Sequence, residues 1–95
     1  MAEVQIAHLN IQNVNVIVTF LNEQFDHKTE GEQDAVHEEL QMRASNAGLA
    51  GNVVLVWTDA FGRMKFRAPQ NQHPYFKSVS YQHLAAQINR KLSWN

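Results

Sequence analysis

Residues 13 to 57 hold two β-rich runs with a capped helix between them, and this narrows the fold more than any other feature of the chain. In "NVNVIVTFL", Asn13 to Leu21, the residues Val14, Val16, Val18 and Phe20 recur at period two. Their β-branched content predicts a strand over 14–21. The opposite face turns apolar toward its end with Ile17 and Leu21, as expected of an internal strand covered on both sides there. "NVVLVW" contains an unalternating apolar run, Val53 to Trp57, which reads as a strand buried on both faces. Between the two, Thr29 and Glu32 form a capping-box pattern, and Glu30, Glu32 and Asp34 sit where a helix dipole favours negative charge. Val36, Leu40, Ala44 and Ala47 make an apolar stripe, and Gly48 followed by Leu49 fits a left-handed C-cap with its hydrophobic contact. The helix is expected over 30–47. Two strands joined through a helix should run parallel with a right-handed crossover.

The chain then turns. "TDAFG" places Asp59 to start a turn and Gly62 to close it at positive φ. "RMKFRA", residues 63–68, is the returning antiparallel strand, ended by Pro69, which cannot donate to a ladder. "PQNQHP" reads as a polar loop. Ser80 is expected to cap a last helix over 81–92, with Leu84, Ala85, Ile88 and Leu92 as its stripe, ending near Trp94. The N-terminal "EVQIAHLNI" is ambiguous, because Val4 and Ile6 alternate and the phase then slips to Leu9 and Ile11. Residues 1–12 read as an edge strand with a bulge or as an extended arm. The expected fold is α/β (α+β-like), a small two-layer sandwich in the order β-α-β-β-α, with a mixed three- to four-stranded sheet and two helices.

Ninety-five residues suit one domain, 1–95, and a chain of this size buries roughly 65% of its unfolded surface. An apolar share of 44% and a charged share of 18% indicate an ordered globule. No run approaches the roughly 20 apolar residues of a membrane helix. "MAEVQIAH" has an acid where a secretory signal would carry its basic region. No membrane partner and cytoplasmic residence are the expectations. The absence of cysteine removes disulfides, thiolate nucleophiles and cysteine zinc sites together.

Charge is split along the chain. Residues 1–40 hold eight acids and one cation, Lys28, while residues 41–95 hold seven cations and one acid, Asp59. A net −7 against +6 means either a basic face with an acidic back or two halves that attract across a shared core. The alternation Arg63, Met64, Lys65, Phe66, Arg67 sharpens that choice, since a strand puts its three cations on one face. They either keep an edge strand soluble or form a basic strip with Trp57, Phe61 and Tyr75 as stacking partners, as single-strand binders do. The negative net charge favours the edge strand.

Catalytic and metal patterns are missing. His8, His27, His37, His73 and His83 are never closer than ten residues apart, which is not zinc spacing. "HEEL" at 37–40 lacks the second histidine of a metalloprotease helix. No nucleophile elbow, phosphate loop or carboxylate pair occurs. "DHK", Asp26 to Lys28, lies in a strand-to-helix loop where α/β sheets bind ligands. Tyr75 and Phe76 either plug the gap between helix and sheet or add aromatics to an interface.

The expectation is a non-enzymatic binding module with no cofactor and no metal, engaging a protein partner or its own copy. Its contact residues are expected to be Trp57, Arg63, Lys65, Arg67, Tyr75 and Phe76. Two alternatives stand beside it: nucleic-acid binding through the basic hairpin, and an enzyme of unrecognised type using Asp26, His27 or His37.

Overall fold

The computed structural model describes residues 2–11, 13–68 and 72–94. Its elements are β1 (Ala2–Ile11), β2 (Val14–Phe20), a 3-10 turn (Glu23–His27), α1 (Glu30–Asn46), β3 (Asn52–Thr58), β4 (Met64–Arg67), α2 (His73–Ser78), α3 (Tyr81–Ala85) and β5 (Arg90–Trp94). The strands form one mixed sheet in the order β4-β3-β2-β1-β5. As expected, β2 and β3 are parallel, with Ile17 opposite Val53, and β4 returns antiparallel with Lys65 opposite Trp57. No helix among the described residues is long and apolar enough to cross a membrane.

The expected fold class holds, with differences in its elements. First, the sheet has five strands, and β1 is an inner one. Its register against β2 is unbroken from Gln5↔Phe20 to Ile11↔Val14, so the apparent phase slip is no bulge. Val4 and Ile6 join the core under α1, whereas Ala7, Leu9 and Ile11 join the core on the other face. The strand keeps alternating while the face it buries changes.

Second, helices cover both faces of the sheet rather than one. Leu40 and Ala44 of α1 pack with Ile17, Val53 and Leu55, while Phe76 of α2 and Leu84 of α3 pack with Val16, Val18, Val54 and Val56. Third, the expected last helix stops at Ala85, and Arg90–Trp94 pairs with β1 instead, placing Leu92 against Val4. His73 and Pro74, expected in the polar loop, open the short helix α2. Pro69, expected to end β4, lies outside the described residues.

The long helix follows its local signals. The Thr29 hydroxyl accepts from Glu32 N–H and the Glu32 carboxylate accepts from Thr29 N–H. At its end Leu49 N–H donates to Ala44 O and Gly48 N–H to Ser45 O, the double closure of a Schellman motif. Ala47, expected in the apolar stripe, is instead the exposed C-cap residue.

Beside that stripe runs a polar seam. β4 pairs β3 only from Leu55 onward, so among the described residues the start of β3 has no strand on that side. Gln41 fills the place of a peptide bond there: its amide donates to Gly51 O at 3.1 Å and its carbonyl accepts from Val53 N–H at 2.8 Å. His37 Nε2 donates to Val53 O at 2.7 Å. Asn89 does the same for β1 beyond the start of β5, accepting from His8 N–H and donating to His8 O. Side-chain amides thus close strand edges that would otherwise leave backbone groups unpaired.

Candidate protein-interaction site

The β3–β4 turn is built around one carboxylate. Asp59 is 4% exposed. Its Oδ1 accepts from the backbone N–H of Phe61 at 2.9 Å and of Arg63 at 3.0 Å, and its Oδ2 accepts from Arg63 Nε at 3.0 Å. Asp59 N–H donates to Arg63 O and Gly62 N–H donates to Asp59 O, closing a three-residue loop. Gly62 has φ 78°, the left-handed position that such a loop requires and that a side chain resists.

The loop lifts Phe61 into solvent at 83% exposure. The Arg63 guanidinium lies 5.3 Å from the centre of its ring, a cation–π pair at the tip of the hairpin. The local sequence carries the signal for this. In D-A-F-G the phenylalanine occupies the third position of the turn, which cannot reach back to the sheet.

The Arg63 backbone N–H, joined by the Phe61 N–H and the Arg63 guanidinium, holds the Asp59 carboxyl below the usual carboxylate range, against the opposing effect of burial. Hydrogen bonds from Lys65 and Trp57 lower Asp26 in the same way, and the Thr29 backbone N–H lowers Glu32. A carboxyl depressed in the folded state contributes stability above its ordinary pKa of about 4, and this is lost as pH falls through the folded-state value. The urea midpoint should therefore stay flat from about pH 7 to 5 and drop below about pH 4. Asp59→Asn should lower the midpoint at neutral pH and make the acid decline shallower. A variant that declines as steeply as the parent chain would show that Asp59 is not among the groups responsible.

The structure separates the residues expected at the contact. Lys65 Nζ donates to Asp26 Oδ1 at 2.8 Å, and the Arg67 guanidinium is bonded to Asp34 and to Gln33 Oε1, so these cations are matched within the chain. Those two pairs, with Lys91 near Glu3, link the acidic half to the basic half at the surface. All three cations are ion-paired, Arg63 with Asp59 of its own turn, and Arg63 is the most exposed, at 73% against 46% for Lys65 and 28% for Arg67.

Trp57 is 4% exposed, packs edge-on against Phe25 at 4.7 Å between ring centres and donates its indole N–H to Asp26. Phe76 is fully buried on the opposite face of the sheet, and Tyr75 is half-buried with its ring edge-on to Phe76. Neither Trp57 nor Phe76 can meet a partner without opening the core. Both are corrections to the expected contact set: each bulky ring is needed to fill its own side of the sheet.

The acid–base candidates do not converge. His37 lines a cleft of about 390 Å³ with Asp34, Gln41 and Arg67, whereas His27 lines a hollow of about 550 Å³ with Leu21, Lys28 and Val36. Asp26 is held by Lys65 and Trp57. His8 and His73 bond the carbonyls of Ala50 and Ala68. Among the described residues no group of three or more histidine, aspartate or glutamate side chains is placed to hold a metal ion. None of the family models, curated proteins and solved structures compared with the chain matches it.

Proposed function

We propose that this chain is a small non-enzymatic binding module that works through protein–protein contact, with the β3–β4 tip as its anchor. One observation carries the reading: Phe61 is held out in solvent by a loop whose backbone is fixed by a buried carboxylate. Burying a phenylalanine side chain is worth roughly 1.5–3 kcal/mol, so an exposed ring forgoes that stabilisation until something covers it. A loop already ordered loses little entropy on docking. Aromatic and arginine side chains are also the enriched anchors of interface centres.

Nucleic-acid binding is the weaker reading. Lys65 and Arg67, which would grip phosphates, face Asp26 and Asp34 instead, and phosphate contacts need cations free to replace counterions. The enzyme reading lacks a cleft that Asp26, His27 and His37 share.

Phe61→Ala should change folding stability by no more than about 0.5 kcal/mol, because the ring packs on little else. A photo-cross-linking residue at position 61 should capture protein in lysate, and the same residue at Met42, which is 52% exposed elsewhere, should not. Equal capture at both positions, or capture abolished by nuclease, would overturn the reading.

A further inference from the structure

We propose that the partner of the tip is a second copy of this chain, which receives the Phe61 ring in an apolar groove along the flank of α1. The proposal rests on the reading of the tip as a protein contact. The groove opens where α1 leaves the adjoining ends of β1 and β2 uncovered. Two hollows of about 550 and 350 Å³ share Leu21, Asn22 and Val36. Phe25 lines the larger and Val4 and Leu40 the smaller. A cavity of about 150 Å³ holds a benzene ring, so either hollow admits a phenyl side chain.

Charge selects the occupant. The smaller hollow is bordered by Glu3 and Glu39, whereas the larger is mixed, with Glu32 beside Lys28 and His27. The Glu3 and Glu39 side chains are 54% and 51% exposed, and among the described residues they pair with Lys91 and Arg43 at 4.0 and 3.5 Å. The apolar floor and acidic rim of the smaller hollow complement an aromatic ring with an arginine stacked on it, and the tip of this chain is such a group. The tip does not enter its own groove, because Phe61 stands 83% exposed.

The topology also allows closure. β2 and β3 are parallel, so the groove beyond the end of β2 and the tip beyond the end of β3 lie at the same end of the sheet. Two copies meeting at that end can exchange tips about a two-fold axis, each contact repeated once, which gives a closed dimer rather than a filament.

Sedimentation equilibrium of the purified chain across concentration tests this, with Phe61→Ala as the tip variant and Val36→Arg as the groove variant. The parent chain should pass from monomer to dimer, and more weakly in 1 M salt, where the screening length falls to about 3 Å. Each variant alone should raise the dissociation constant at least about tenfold, the effect of removing an interface anchor. An equal mixture of the two should associate more tightly than either alone, because one copy keeps its tip and the other its groove. Val36 is half-buried, so Glu39→Lys, at an exposed position, repeats the test without disturbing the core. A parent chain that stays monomeric to about 1 mM, a concentration at which even a 1 mM affinity would show, overturns the proposal. So does a dimer indifferent to Phe61→Ala, or a mixture no tighter than its components. Capture of another protein at position 61 alongside a monomeric chain would sink self-docking and leave the tip reading intact, whereas no capture at 61 together with an indifferent dimer would sink both.

Discussion

Phe76→Ala is expected to remove about 3–5 kcal/mol of folding stability, the usual cost of emptying a buried aromatic site. For a domain whose whole stability is on the order of 5–15 kcal/mol, that is a large fraction. Phe76 is fully buried and is the bulkiest of the fully buried side chains among the described residues. Its ring lies 5.5 Å from Phe66 and 5.2 Å from Tyr75, and it shares a core with Val54, Val56 and Leu84. It belongs to a helix of six residues, too short to persist without tertiary contacts. Losing the ring should therefore loosen α2 as well as leave a cavity. Urea unfolding monitored by circular dichroism measures the change, with Phe61→Ala as the near-neutral comparison. A loss below about 1 kcal/mol would mean that α2 does not depend on this side chain.

Gly51→Ala should be comparably severe, for a different reason. Gly51 has φ 123°, and a Cβ there would lie 2.4 Å from the carbonyl oxygen of Asn15 and 2.7 Å from its carbon. Backbone in that region costs a non-glycine residue on the order of 1–3 kcal/mol. The overlap adds to this, since its partner is main chain and cannot rotate away. Asn15 precedes the Val16↔Asn52 pair that opens the parallel ladder, so relief would require β3 to move off β2. The same short segment is held by His8 at Ala50 O and by Gln41 at Gly51 O and Val53 N–H, so a shift would also break these bonds. We expect a loss of roughly 3–5 kcal/mol, at the exceptional end for single substitutions. Gly31→Ala supplies the contrast. It lies within α1 with nothing within 4 Å of the added carbon, so it should be neutral or gain up to about 1 kcal/mol from helix propensity. Thermal and urea unfolding of both variants should separate them clearly, and a Gly51→Ala chain as stable as Gly31→Ala would contradict the close approach.

The site was partly legible. Asp59 and Gly62 announce a turn, and Phe61 between them must stand at its tip, since a turn of that length has no room to fold a ring back. Arg63 beside it is the most exposed member of the basic strip. The fates of Lys65 and Arg67 were not readable, because their acids lie 39 and 33 residues away in sequence and strand alternation says nothing about what stands across the gap. Trp57 and Phe76 fit either core or interface by residue type, and the packing of the two sheet faces assigns both to the core. Gln41 and Asn89 gave no signal, since an amide on a polar flank looks solvated until a strand edge without a partner lies against it.

The sequence by itself determined what is set within a few residues. The limits of α1 follow from a capping box and a Schellman closure, both made of neighbours in the chain. β2 and β3 follow from period-two patterning and a continuous apolar run, and the hairpin from its aspartate and glycine. Only the tertiary structure decided residues 86–94. Leu84, Ala85, Ile88 and Leu92 satisfy a helical stripe, yet the helix ends at Ala85 and residues 90–94 extend along β1. A short apolar pattern fits either period. Pairing with β1 satisfies a row of backbone groups and seats Leu92, 3% exposed, against Val4. A longer helix could have offered Leu92 a place in the core, but it would have left that row of β1 without hydrogen-bond partners.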